Sequence, residues 1–290
     1  TAVDVDRAEQ PGKILHEVFV IHDSSTVWVD CVKAEREALF EQLYNEPGFG
    51  IWLGHYLDTL LDKDANAIIS EFMEKKIRGR INDQKIADKL IPKDHGFGIK
   101  RVPMETNYYE VYNQPNVHLV DIMENPIEEI TPEGIRTTAE HYDLDVIIYA
   151  TGFDAIIGAF KAVNFHGRGG KTLKEAWADG PRTYLGLGVE GFPNLFTITG
   201  PGSPSVIGNV IHNCEHHVDW LIACLEHMRR GNLQTVEPEA TAQDQWMDHV
   251  ADVASRTLYP EANSWYLGVN IPGKPKVFMP YVGAGYRHTC

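Results

Sequence analysis

The stretch Asp145-Val146-Ile147-Ile148-Tyr149-Ala150-Thr151-Gly152-Phe153-Asp154 sets the fold class of this chain. Val146, Ile147, Ile148 and Tyr149 put apolar side chains on both parities, which predicts a central strand covered on both faces, closed by a glycine turn. The same grammar returns at Asn194-Leu195-Phe196-Thr197-Ile198-Thr199, an expected second strand running into Gly200-Pro201-Gly202-Ser203-Pro204-Ser205. A long amphipathic helix is expected next, apolar at Ile207, Val210, Ile211, Cys214, Val218, Leu221, Ile222, Leu225 and Met228. It should stop at Gly231, in the place of a C-cap. Two strand–glycine–loop junctions among helices predict an α/β fold.

Working outward, Val117–Val120 reads as a strand, and Ile127–Ile130 and Ile135–Thr137 flank a Thr131–Gly134 turn as a hairpin. From about Ala34 to Leu90 the pattern is helical, with Ala65, Ile68, Ile69, Phe72, Met73 and Ile77 at three- and four-residue steps. Asp62 and Asp64 supply capping chemistry there. Ile91–Gly98 reads as a loop, Val18–Ile21 and Val27–Val29 as short strands, Ala242–Leu258 as a further helix, and the tail as loop-rich.

The chain has 290 residues, 43% hydrophobic and 23% charged, enough for one large or two modest domains and unlike collagen, coiled coil or disorder. Lys and Arg number 26 against 41 Asp and Glu, a net charge of −15. That balance repels phosphate backbones and anionic bilayers, so neither nucleic acid nor membrane is an expected partner. The basic run Lys75, Lys76, Arg78 and Arg80 reads as a solvated helix face. No apolar run reaches the ~20 residues of a membrane span, and the start lacks a secretory layout. Four dispersed cysteines (Cys31, Cys214, Cys224, Cys290) suit a reducing, cytoplasmic setting. The absence of an initiator Met is read as a sign of a piece of something longer.

Gly200–Ser205 is the most informative junction chemically. A strand entering Gly-Pro-Gly and then a helix is expected to expose free N–H groups at a positive helix end, suited to an anion or an electron-rich ring edge. The competing reading is an ordinary tight turn with Ser205 as N-cap. His212 and His216 share a helix face, yet core or boundary roles for His212, Cys214, His216 and His217 are preferred to a metal site. Lys100-Arg101, after a Gly-Phe-Gly loop, forms a cationic pair, which a surface pair would also explain. No Gly-x-Ser-x-Gly elbow or Walker loop is present.

Eight stretches then recur in one family's order: Ile91–Arg101 (IPKDHGFGIKR), Tyr108-Tyr109-Glu110, Asn116–Asp121 (NVHLVD), Ala150–Asp154 (ATGFD), Gly180–Leu187 (GPRTYLGL), Gly191–Phe196 (GFPNLF), Gly200–Ser205 (GPGSPS) and SWYLGVNIPGKPKVFMPYV within Leu258–Val282. By these the chain resembles the C-terminal half of type I Baeyer–Villiger monooxygenases, over about residues 45 to 287. The resemblance implies FAD and NADPH as cofactors. It implies O2 and a ketone as substrates, converted to an ester or lactone through a C4a-peroxyflavin. It implies a catalytic Arg101, with Lys100 answering the extra phosphate of NADP. Thr151, Gly152 and Phe153 would line the seam between two dinucleotide domains, and Trp265 the nicotinamide end. Gly200, Gly202, Asn209 and Val210 would meet the flavin, and Ser205, Val206 and Ile207 the substrate.

The implied architecture is a partial pair of Rossmann-like domains. Residues 1–150 would complete an NADP-binding domain carrying a helical insertion over about 35–95, and 151–290 an FAD-binding domain. The family's two Gly-x-Gly-x-x-Gly loops are not found at strand–helix junctions here, so a complementary N-terminal half is the expected partner. The alternative is a non-catalytic remnant or partner-binding subunit of the same fold.

Overall fold

In the computed structural model, residues 33–205, 209–269, 271–283 and 285–290 are described. The strands expected at Val18–Ile21 and Val27–Val29 lie outside them. Helix α1 (Lys33–Asn45), the short α2 (Gly50–Leu53), α3 (Lys63–Arg80) and α4 (Gln84–Leu90) build the helical stretch. Asp62 caps α3, its Oδ1 accepting from the N–H groups of Asp64 and Ala65, both at 2.9 Å. Asp64 itself is thus a donor here, and Asp83 caps α4 in the same way. Ala65, Ile69 and Ile77 bury the expected face of α3. Ile77 and Ile81 join Ala87 and Ile91 in a local core.

The hairpin forms as its turn chemistry predicts. Strands β1 (Ile127–Ile130), β2 (Gly134–Thr137) and β3 (His141–Asp143) make an antiparallel sheet in the order β1-β2-β3. A Cβ at Gly134 would meet the Tyr142 carbonyl oxygen at 1.9 Å, so β2 can approach β3 only through glycine.

The parallel sheet expected of an α/β fold does not form among the described residues. Val117–Val120 and Asp145–Ala150 belong to no sheet, and Asn194–Thr199 makes only a bridge between Phe196 and Gly188. Val146 is 73% exposed and Ile148 86%, so the segment read as a doubly covered strand is bare on this chain. Its apolar pattern calls for ladder neighbours and covering layers that the described residues do not contain. The observed architecture is helical with one small antiparallel sheet.

The long helix α7 (Val210–Gly231) begins later than expected and is capped by Asn209. Asn232, in the left-handed region at φ 51°, takes the C-cap role assigned to Gly231. Only His217 and Met228 of α7 are buried. Ile211, Ile222 and Leu225 of the predicted core stripe are exposed, another apolar face without cover here. Helices α5 (Gly158–Ala162), α6 (Leu173–Ala176), α8 (Ala240–Ser255) and α9 (Tyr286–Thr289) complete the set.

Leu185, Leu187, Trp246, Met247, Val250, Tyr281 and Tyr286 form one core, and Ile157, Leu173, Trp177, Val189, Phe192 and Met279 a second. A third cluster holds Ala254, Tyr259, Tyr266, Leu267 and Phe278, with Leu60 of the helical stretch against it. Leu60 also accepts the Leu258 N–H at 2.9 Å, joining the helical stretch to the C-terminal quarter.

Candidate functional site

Arg101 follows a sharp loop whose backbone the helical stretch holds from behind. The Asn66 Nδ2 donates to the carbonyls of Thr59 (2.7 Å) and Phe97 (2.9 Å), and Ser70 Oγ accepts from Phe97 N–H (2.9 Å). Ile99 is buried, whereas the Arg101 side chain is exposed. Its guanidinium lies over the rings of Trp52 (4.7 Å to the centroid) and Phe49 (5.4 Å). Lys100 Nζ is 2.7 Å from Asp94 Oδ2, and His95 Nδ1 is 2.6 Å from Asp94 Oδ1. The Lys100 contact, then that of His95, holds the Asp94 carboxyl down at about 2.

The Gly200–Ser205 corner is closed by the chain itself. Gly200 N–H donates to Gly186 O (3.2 Å) and Gly202 N–H to Met279 O (2.6 Å). These two donors are therefore spent, and the helix start that was expected at this corner falls at Val210 instead. A Cβ at Gly200 would meet Thr197 Oγ1 at 2.5 Å, so packing within the chain already demands this glycine. Gly202, at φ 81°, also accepts the Trp246 indole N–H at 3.1 Å. Ser205 Oγ is buried without a hydrogen-bond partner among the described residues. Val206 and Ile207 lie outside those residues. Asn209 Oδ1 accepts from the N–H groups of Ile211 (3.0 Å) and His212 (3.4 Å), and Val210 is part-exposed beside it. Asn213 Nδ2 ties this first turn to Pro204 O at 2.5 Å.

Thr151, Gly152 and Phe153 are exposed, Phe153 by 90%, with Gly152 in the left-handed region at φ 80°. Trp265 is half-buried and meets Tyr266 edge-on with ring centroids 4.5 Å apart.

The tail, which periodicity marked only as loop-rich, draws these parts together. Met279 accepts from Gly202 and donates its own N–H to Tyr266 O at 2.9 Å. Tyr266 feels the Arg101 charge, although burial dominates and pushes its hydroxyl up to about 12. Lys274, nearly buried, ion-pairs with Asp154 of the 151–154 turn. Tyr266, Lys274 and Met279 of this tail thereby join the glycine corner to the Asp154 turn. Trp52, Tyr266, Lys274 and Asp154 were not marked as site residues by pattern. Only the dense aromatic run Trp265-Tyr266 could have flagged part of this set.

Letters alone mislead at Gly186–Gly191 (GLGVEG), which has Gly-x-Gly-x-x-Gly spacing. Leu187 and Val189 are buried in core, and no helix begins at its end, so it offers no phosphate cradle. Among the described residues no group of His, Cys, Asp and Glu could hold a metal ion. His217 is instead a buried hydrogen-bonding residue, between Thr199 N–H and the Tyr286 hydroxyl. Cys214, Cys224 and Cys290 are free. No helix among the described residues is long and apolar enough to cross a membrane.

Comparison with known proteins carries the family. No family model matches the chain. It is 49% identical over 277 residues to the 2-oxo-Δ3-4,5,5-trimethylcyclopentenylacetyl-CoA monooxygenase of Pseudomonas putida, covering 94% of this chain and 51% of that enzyme. It is 42% identical over 243 residues to cyclopentanone 1,2-monooxygenase of a Comamonas species, covering 83% and 44%. The chain is homologous to type I Baeyer–Villiger monooxygenases over about half of their length. The crystal structure of OTEMO in complex with FAD and NADP superposes with a TM-score of 0.88 at 46% identity, covering 93% of this chain and 50% of that one. Cyclohexanone monooxygenase from a Rhodococcus species, bound to NADP+, also gives 0.88, at 33% identity with 93% and 51% covered. The chain spans about half the length of the curated relatives it matches.

The residues present fit one side of a dinucleotide pair. They offer a guanidinium, a capped helix start, an orphaned buried hydroxyl at Ser205 and bare apolar surface at 146–153. Among the described residues they do not provide a phosphate loop.

Proposed function

We propose that these residues form the C-terminal half of an FAD- and NADPH-dependent Baeyer–Villiger monooxygenase. The assembled enzyme would convert a ketone to an ester or lactone with O2. The observation that carries this reading is the strap at 265–281. It joins the glycine corner to the Asp154 turn, and its Tyr266 lies within electrostatic reach of Arg101.

When bound, FAD and NADPH supply oxygen activation and hydride; the chain supplies binding and electrostatics. Arg101 is the catalytic cation, because a guanidinium is always charged and offers a rigid fork of donors to an oxygen anion. Lys100 serves the NADP phosphate and exchanges its contact with Asp94 to do so. Thr151, Gly152 and Phe153 line the seam between cofactors, and Trp265 bounds the nicotinamide side. Asn209 and Val210 present the positive end of α7 to the flavin edge beside the Gly200–Gly202 corner. Ser205, Val206 and Ile207 line the ketone pocket. Residues up to 150 complete the NADP-binding domain around the helices of 35–95, and 151–290 the FAD-binding domain.

The bare faces at Val146–Phe153 and on α7 support a complementary N-terminal half as partner, since large apolar patches on one chain mark an interaction surface. The test is purification of this chain alone and with a polypeptide carrying the two phosphate loops. Flavin absorbance and NADPH-dependent ester formation only in the mixture are expected. In the mixture, Arg101→Ala should keep flavin and lose ester, and Lys100→Ala should narrow the preference for NADPH over NADH. Association without flavin would favour the alternative, a partner-binding subunit, for which the closed Gly200–Ser205 corner speaks. Ester formation by Arg101→Ala would refute its role.

A further inference from the structure

We propose that Trp52 is the positioning residue for Arg101, its indole face setting the plane of the guanidinium. The inference rests on the reading of Arg101 as the site cation and adds the means by which that cation is held.

Trp52 lies on α2, a single helical turn, and is among the most completely buried side chains of the chain. Its ring and that of Phe49 stand 5.6 Å apart at 69°, forming a two-walled aromatic corner. The Arg101 guanidinium carbon sits 4.7 Å from the first ring and 5.4 Å from the second. Both distances are within the range of a cation–π contact. Gly98 makes the approach feasible. It adopts φ 79°, and a Cβ there would meet Trp52 Cδ1 at 3.2 Å and Nε1 at 3.4 Å. The loop backbone therefore lies directly on the indole and delivers residue 101 to it.

Arg80 spends its fork on carboxylates, Nε to Glu110 at 2.5 Å and Nη1 to Glu105 at 2.6 Å. Stacking on a ring uses the face of the guanidinium and consumes no N–H donor. A stacked arginine is thus restrained in plane while its edge stays suited to an anion. A buried Trp in a core would need no cation above it, so the two roles of Trp52 separate experimentally.

The experiment is NMR on the full chain with labelled arginine, the Arg101 signals being assigned through Arg101→Lys. Ring current should shift the Arg101 δ-methylene protons upfield of those of the chain's exposed arginines. Trp52→Phe should keep most of that shift and Trp52→Leu should remove the larger part of it, leaving what Phe49 contributes, with the remaining spectrum unchanged. Should Trp52→Leu fail to fold, Phe49→Ala, at a part-exposed position, should still reduce the shift. In the assembled enzyme Trp52→Leu should lower kcat by about 10-fold, with Trp52→Phe restoring most of it. Unshifted Arg101 protons in the native chain, or a shift indifferent to Trp52→Leu, would overturn the proposal. Shifted protons beside an assembled enzyme that never turns over would instead count against the functional reading.

Discussion

His217 accepts the backbone N–H of Thr199 at Nδ1, 2.9 Å away, and its Nε2 lies 2.7 Å from the Tyr286 hydroxyl. A backbone N–H can only donate, so Nδ1 carries no proton and Nε2 does. Nε2–H then donates to Tyr286, whose hydroxyl donates to Leu185 O. This relay holds Thr199, a β-branched residue at φ 50°, in the left-handed region just before the glycine corner. A protonated ring would set one N–H against another.

Burial, with a lesser effect of neighbouring His216, lowers His217 to about 4, and burial does the same to His55. The unfolded chain therefore binds more protons between pH 6.5 and 4, and stability rises with pH across that window. It should be complete above about pH 6.5 and fall on acidification, by about 2 kcal/mol per ring at pH 5 relative to pH 7. Thermal melts at the two pH values check this. His217→Gln should flatten the acid slope by about half. A native melting temperature equal at both values would contradict it.

Arg80 joins α3 to the loop that follows Arg101. It holds Glu105 and Glu110 and stacks on Tyr109 at 4.9 Å. Arg80→Ala leaves two carboxylates facing each other and should cost about 2 kcal/mol in urea titration, discounted for partial exposure. Arg80→Lys should recover less than half of that, because a point charge cannot fork.

Two glycines should respond in opposite directions. A Cβ at Gly96 would meet Asn66 Oδ1 at 1.7 Å, in the side chain that bridges Thr59 and Phe97. Gly96→Ala should lose about 2–3 kcal/mol. Gly79, inside α3 with nothing within 4 Å, should gain about 0.5–1 kcal/mol as Ala. Denaturant midpoints of the two variants decide both.

Ile148 is bare, so Ile148→Lys should change the stability of the chain alone by less than about 0.5 kcal/mol. The same change should abolish co-elution with the complementary polypeptide, because it buries a charge at the proposed contact. Co-elution of the variant would place the contact elsewhere.

The sequence by itself determined the helices of 33–90, the Ile127–Thr137 hairpin, the helices near 210–231 and 240–255, and the family resemblance. These depend on periodicity, capping residues and turn chemistry, which act over a few residues. Tertiary structure decided the rest. Whether the apolar run 145–150 is a covered strand depends on neighbours from elsewhere, and the described residues leave it exposed. Whether the Gly200 and Gly202 N–H groups are free depends on Gly186 and Met279, distant in sequence; with Ser203 and Ser205 bonded inside the corner, the chain consumes all four N–H groups of Gly200–Ser205. Trp52 beneath Arg101, and the strap from Trp265 to Tyr281, are long-range contacts with no local signature. Local pattern specifies what a segment can form; burial and hydrogen-bond completion between distant segments settle what it does.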